Sequence, residues 1–210
     1  MRFDTLCCAR GGRRLFSGLE LCLAGGQAVQ LTGANGSGKT TLLRTLSGLQ
    51  QPQKGQVLWR GADIHAGEGY AGAMLYLAHE NALNPDLTAR ENLRLLAALH
   101  DVHGANSGGA GKPLAHRVDE ALRCLGVDAV GDRPCRRLSA GQRRRAALAR
   151  LLLSPASLWL LDEPAAALDT AGREVLGRLL AEHVGGGGAA IYSTHEPLDL
   201  PSVRSRNLQL

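Results

Sequence analysis

Residues 33–40 read GANGSGKT, a complete match to G-x-x-x-x-G-K-[ST], and the flanking sequence fits the motif. QAVQLT at 27–32 has the content of a short buried strand. KTTLLRTLSG after the glycines has helical spacing, with Gly48 as its stop. A strand, a glycine turn and a helix form the context in which such a loop wraps a phosphate. The glycines let successive backbone N–H groups turn inward, and the helix N-terminus adds partial positive charge. The motif therefore places Gly33, Ala34, Asn35, Gly36, Ser37, Gly38, Lys39, Thr40 and Thr41 around a nucleotide. Lys39 is expected to reach the β- and γ-phosphates, and the Thr40 hydroxyl to ligate Mg²⁺. A plain glycine turn leaves a lysine and a threonine in register unexplained.

The rest of the chain alternates in kind at both ends. Val57 to Arg60, Met74 to Ala78, Ser157 to Asp162 and Ala189 to Thr194 read as strands. Thr88 to His100 reads as a helix with a Thr88/Glu91 capping box, and Pro113 to Leu125 as a helix ended by Gly126. Ser139 caps a helix over Ala140 to Leu153, and Thr170 to Val184 is another. Residues 104–111 (GANSGGAG) read as a surface loop. Alternating strands and helices predict a parallel α/β sheet, interrupted by a helical, basic middle at about 80–150.

Composition removes several classes of function. Aromatic residues are only 3% of the chain, too few for a base-stacking platform. The five cysteines are odd in number and scattered, without a CxxC pair, which suits reduced intracellular thiols. The N-terminus lacks the apolar region of a secretory signal, and Leu151 to Leu161 is too short an apolar stretch to span a bilayer. The net charge of +5 is concentrated in residues 112–150, where ten Arg and Lys face four Asp and Glu. Such a surplus suits an acidic partner, an anionic surface or simply solvent.

Two further motifs carry chemistry. LWLLDE at 158–163 is an apolar strand ending in two acids. Asp162 at a rigid strand tip is placed to hold Mg²⁺ beside the phosphate loop. Glu163, one residue on, could polarise an attacking water. LSAGQ at 138–142 reads first as an S-x-x-Q capping box, Ser139 with Gln142. The same helix start, with Gly141 in a small turn, offers free N–H groups and a hydroxyl to a γ-phosphate. Since the chain's own loop already holds its own nucleotide, this second site makes most sense for a nucleotide held by another copy.

GANGSGKT, LSAGQ, LWLLDE, Ala167-Leu168-Asp169 and His195, in this order, resemble the nucleotide-binding subunit of ATP-binding cassette (ABC) transporters. The resemblance spans nearly the whole chain. It implies a single P-loop ABC domain, with an α/β core from residues 1–79 and 154–210 and a helical subdomain at 80–153. It also implies a homodimer that sandwiches two ATP molecules with Mg²⁺, each between Lys39 of one copy and Ser139 to Gln142 of the other. In it Glu163 corresponds to the catalytic base, His195 to a histidine contacting the γ-phosphate, and Asp169 to an aspartate coupling the two sites. The family usually has glutamine where this chain reads His79-Glu80, and an aromatic ring for adenine where it has Arg10. Either His79 or Glu80 could bond water or Mg²⁺, and the Arg10 guanidinium plane could stack on a base.

Histidine in place of that glutamine, with LFSGL at 15–19, LTARENL at 87–93, Trp159 within LWLLDEP and STHEPL at 193–198, resembles the CcmA family of haem-exporter ATP-binding subunits. That likeness implies a peripheral subunit at the cytoplasmic face of a bacterial inner membrane. Its expected partners are the membrane subunits CcmB and CcmC and an accessory protein, with no nucleic acid. ATP hydrolysis would drive haem delivery or release of a haem-loaded chaperone. Other readings are the ATPase of another small-substrate ABC transporter, a soluble ABC ATPase on ribosomes or nucleic acid, a small-molecule P-loop kinase and a non-hydrolysing ATP-binding module. The soluble ATPase has only the basic segment in its support. The kinase leaves LSAGQ and His195 unexplained, and the binding module leaves Glu163 without a role.

Overall fold

Apolar side chains alternate along three neighbouring strands, β3 (Gln27–Thr32), β7 (Leu158–Leu161) and β8 (Ala189–Ser193), and this alternation creates two hydrophobic cores on opposite faces of one sheet. Leu158, Leu160, Val29, Leu31 and Ile191 face one way; Trp159, Leu161, Ala28, Ala190 and Tyr192 face the other. A strand covered on both faces needs apolar residues at every position, which is why LWLL and AAIYS are continuous runs. The computed structural model describes residues 1–11, 13–66, 69–102, 112–196, 198–200 and 203–210. The loop expected at 104–111 lies outside the described residues, and so does the Arg10 side chain.

The central sheet is parallel throughout, in the order β6-β7-β8-β3-β9, with β6 at Met74–Leu77 and β9 at Arg204–Gln209. One face packs against α1 (Lys39–Leu46) through Leu42, Leu43 and Leu46. It also packs against a second sheet, antiparallel, in the order β2-β1-β4-β5. Its strands are β1 (Arg2–Arg10), β2 (Arg13–Cys22), β4 (Lys54–Trp59) and β5 (Ala62–Asp63). The other face carries α7 (Thr170–Gly185), and the core on that side extends to α3 (Ala89–Val102) and α4 (Leu114–Cys124), which pack against each other and against residues 150–153. A short helix, α2 (Tyr70–Ala73), leads into β6.

Several expectations are corrected. The strand expected at Val57 to Arg60 lies in the antiparallel sheet, because β4 pairs with β1, and the chain then reverses through Arg60 and Gly61, both at positive φ. β1, β2 and β9 had no legible period. β1 contains bulges that break its alternation, and β9 is a mostly polar edge strand. The helix expected over Ala140 to Leu153 is two helices, α5 (Ala140–Leu148) and α6 (Arg150–Leu153). They meet at Ala149, whose carbonyl accepts from the Leu152 N–H in a tight i→i+3 turn.

Candidate functional site

The phosphate-loop sequence does what its glycines allow. Gly33 sits at φ 149°, and a Cβ there would stand 2.6 Å from the Leu210 carbonyl oxygen and 2.7 Å from Ser37 Oγ. Gly38, at φ 112°, precedes α1 and packs on Leu15 and Phe16 of β2. No side chain caps α1, so its first N–H groups have no intrahelical partner and face the loop mouth. Lys39 is only 6% exposed; its ammonium donates to the carbonyls of Gly33 (2.8 Å) and Ala34 (3.2 Å) across the loop. Asn35, Gly36, Gly38, Lys39, Thr40 and Thr41 line a cavity of about 400 Å³, together with Glu163 and Leu15. Ser37 instead turns its hydroxyl into the loop's buried side.

Glu163 reaches this cavity, and Asp162 a groove that shares Thr40 with it, because β7 ends beside β6 and β8. The Asp162 N–H donates to the Leu77 carbonyl, which fixes the strand tip. Asp162 is 1% exposed, and its Oδ1 accepts from the Ser193 hydroxyl at 2.8 Å. Its Oδ2 is buried and has no hydrogen-bond partner among the described residues. A buried carboxylate oxygen left bare is costly in an ordinary core. Beside Thr40, with which it lines a common groove, it fits a hard cation that prefers oxygen ligands.

Glu163 holds a left-handed backbone at φ 47°. Its N–H donates to Ser193 Oγ at 2.8 Å, and its carbonyl accepts from Arg144 Nη2 at 2.7 Å. The side chain then lies between two imidazoles. His195 Nε2 is 2.9 Å from Oε1, and His79 Nδ1 is 3.6 Å from Oε2. His195 also lines a small groove with Glu163, Arg173 and Glu196. Asp162, Glu163, His79, His195 and the phosphate loop thus converge on one end of the parallel sheet. The arrangement can hold a polyphosphate at the loop and present a carboxylate to a water beside it.

Ser139, Gly141 and Gln142 do not converge there. They line a separate cavity of about 330 Å³ with Gly126, Val127, Arg145, Ala167 and Asp169. The capping box is present in both directions: the Gln142 N–H donates to Ser139 Oγ at 3.1 Å, and the Ser139 N–H to Gln142 Oε1 at 3.0 Å. The Ser139 hydroxyl therefore accepts within the helix and still has its own proton to donate. Asp169 caps α7 through the Gly172 N–H and pairs with Arg145. These two contacts hold its carboxyl below the usual aspartate range.

Three contributors escaped the sequence reading. Leu15 lines the loop cavity from β2, a strand without a clear period. Ser193 bonds both acids; its only signal was a hydroxyl at the end of an apolar strand. Arg144 is one of three consecutive arginines, and nothing local shows that the middle one is buried. Among the described residues there is no cluster of three or more His, Cys, Asp or Glu side chains that could hold a metal by themselves, and no helix long and apolar enough to cross a membrane.

With a phosphate loop, a strand-end acid pair and a separate Ser139 turn, the geometry defines a P-loop nucleotide-binding cassette. The chain belongs to the ABC transporter family, whose profile matches residues 16–166. It is 45% identical, over 97% of its length and 91% of the relative's, to the cytochrome c biogenesis ATP-binding export protein CcmA of Paramagnetospirillum magneticum. Its fold matches a putative ABC transporter ATP-binding protein from Pyrococcus furiosus with a TM-score of 0.80 and 25% identity, over 99% of this chain and 96% of that one. It also matches a dimeric ATP-binding cassette in a post-hydrolysis state bound to ADP and phosphate, with a TM-score of 0.78 and 23% identity, over 93% of this chain and 88% of that one.

Proposed function

We propose that this chain is the ATP-hydrolysing subunit of a membrane export complex that serves cytochrome c biogenesis. One observation carries the ATPase reading: the Glu163 carboxylate faces the phosphate-loop cavity, with both oxygens beside histidines and its backbone pinned on both sides. The loop N–H groups and Lys39 bind the phosphates. Glu163 accepts the proton of the attacking water, and His195 holds Glu163 and the transferred phosphoryl group in line. Thr40 and Asp162 would hold Mg²⁺, which supplies charge neutralisation at the phosphates when bound. The likeness to CcmA supports the export role.

The separation of the two cavities supports a shared site. Within one chain the Ser139 turn and the phosphate loop line different cavities with no residue in common. Two copies paired head to tail place the Ser139 to Gln142 turn of one over the nucleotide of the other. Residues 80–153 then act as a helical subdomain on an α/β core of 1–79 and 154–210. The membrane subunits would be CcmB and CcmC with an accessory protein, at the cytoplasmic face of a bacterial inner membrane.

Glu163→Gln tests the reading. It should retain ATP binding and lose turnover, and a pull-down with it from detergent-solubilised membranes in ATP should recover integral-membrane cytochrome c biogenesis subunits. Wild-type turnover by Glu163→Gln would remove the base assignment. Recovery of a different permease would keep the ATPase and discard the haem role. Recovery of ribosomes or nucleic acid alone would overturn the export reading.

A further inference from the structure

Arg144 is 2% exposed, and all of its hydrogen bonds go to carbonyl-type oxygens. On one side it donates to the backbone oxygens of Asp162, Glu163 and Pro164, at 3.0, 2.7 and 3.1 Å. On the other it donates to those of Ala78 and His79, at 3.2 and 3.3 Å, and to Asn81 Oδ1 at 3.0 Å. The first group is the loop after β7 and the second is the loop after β6; β6 and β7 are hydrogen-bonded neighbours. A buried cation persists only where many dipoles replace its water. Burial lowers this guanidinium's pKa to about 10, so it stays charged at neutral pH.

We propose that Arg144 is a positioning residue for ATP hydrolysis: it splints the Glu163 peptide to the His79 loop and so sets the aim of the Glu163 carboxylate. Glu163 occupies a left-handed backbone that a residue with a side chain rarely keeps unless its surroundings fix it. Two bonds do so here, from Ser193 at its N–H and from Arg144 at its carbonyl. The same guanidinium also fixes the carbonyl of His79, whose imidazole faces the other side of that carboxylate. A planar fork of five N–H donors can span both loops, whereas a lysine ammonium is a single point of contact. Arg144 also lies in α5, two residues after the Ser139–Gln142 capping box, so the bridge joins the helix of the Ser139 turn to the base.

The inference rests on Glu163 being the base, and the experiment separates the two. ATP turnover and equilibrium ATP binding are measured on the full chain assembled with the membrane subunits it co-purifies with, for wild type, Arg144→Lys, Arg144→Gln, Asn81→Ala and Glu163→Gln. Thermal unfolding checks that each variant is folded. Arg144→Lys and Arg144→Gln should lower kcat about tenfold or more, with KM for ATP and ATP affinity within about twofold of wild type. Asn81→Ala, which releases one bond on the His79 side, should show the same split at a few-fold. Wild-type kcat in Arg144→Lys overturns the proposal, and so does a loss of kcat matched by an equal loss of ATP binding. If the Arg144 variants do not fold, an unchanged kcat in Asn81→Ala overturns it. An inactive Glu163→Gln beside an active Arg144→Lys removes Arg144 alone; an active Glu163→Gln removes the base reading instead.

Discussion

Ser193, at the end of β8, donates a buried hydrogen bond of 2.8 Å to Asp162, at the end of the neighbouring β7. The same hydroxyl oxygen accepts from the Glu163 N–H, so one small side chain orients both acids of the site. Removing it leaves a backbone N–H and a carboxylate oxygen without partners. Ser193→Ala should cost about 1–3 kcal/mol in urea unfolding, the range for stranded buried polar groups. It should also lower ATP turnover more than ATP binding. Unchanged stability and turnover would show that water replaces the hydroxyl at no cost.

Ser139 has a structural and a proposed catalytic duty, and two substitutions separate them. Ser139→Ala removes the capping oxygen and should cost about 1 kcal/mol of stability. Ser139→Asn supplies another good cap and should restore most of that stability. Both should lower turnover if the turn meets a partner's nucleotide, since neither keeps a hydroxyl at that position. Full turnover in Ser139→Asn would reduce Ser139 to a helix cap.

The shared site has a direct genetic test. Lys39→Ala disables the phosphate loop, and Ser139→Arg blocks the opposite turn; the two residues lie in different cavities of one chain. A mixed dimer of the two variants contains one intact composite site, so the mixture should turn over ATP faster than either variant alone. Absence of rescue in confirmed mixed dimers would argue against a site shared across copies.

His183 links stability to pH. Its ring stacks on Trp159, with centroids 3.8 Å apart and planes 5° from parallel, and Nε2 lies 3.2 Å from the Ala189 carbonyl oxygen. Burial lowers its pKa from the ordinary 6.5. The unfolded chain therefore binds this proton first as pH falls. Stability should be full above about pH 6.5 and decline as pH drops through that value toward the lower folded pKa. Urea unfolding at pH 5.5 and 7.5 should show the decline, and His183→Phe, which keeps a stacking ring, should remove that part of it. An identical pH dependence in His183→Phe would place the effect on other groups.

Local motifs made part of this protein legible in advance. GANGSGKT announced its loop because glycine, lysine and threonine are demanded by backbone conformation and phosphate chemistry within eight residues. LWLL and AAIYS announced buried strands because burial on both faces demands unbroken apolar runs. The Ser139/Gln142 box marked a helix start through a spacing of three residues. The antiparallel sheet was not legible, since bulges in β1 break the alternation that marks a strand.

The sequence by itself thus determined the phosphate loop, the acid pair, four of the five strands of the parallel core and the starts of the longer helices, because each depends on neighbours a few residues away. Only the tertiary structure decided how they meet. Ser193 reaches the acids because β8 lies beside β7. His79 faces Glu163 because β6 lies on the other side of β7. Arg144 is a buried hub rather than one more surface arginine because α5 lies against both loops. Polar contacts of this kind depend on which segments become neighbours in space, and no local pattern of residues encodes that choice.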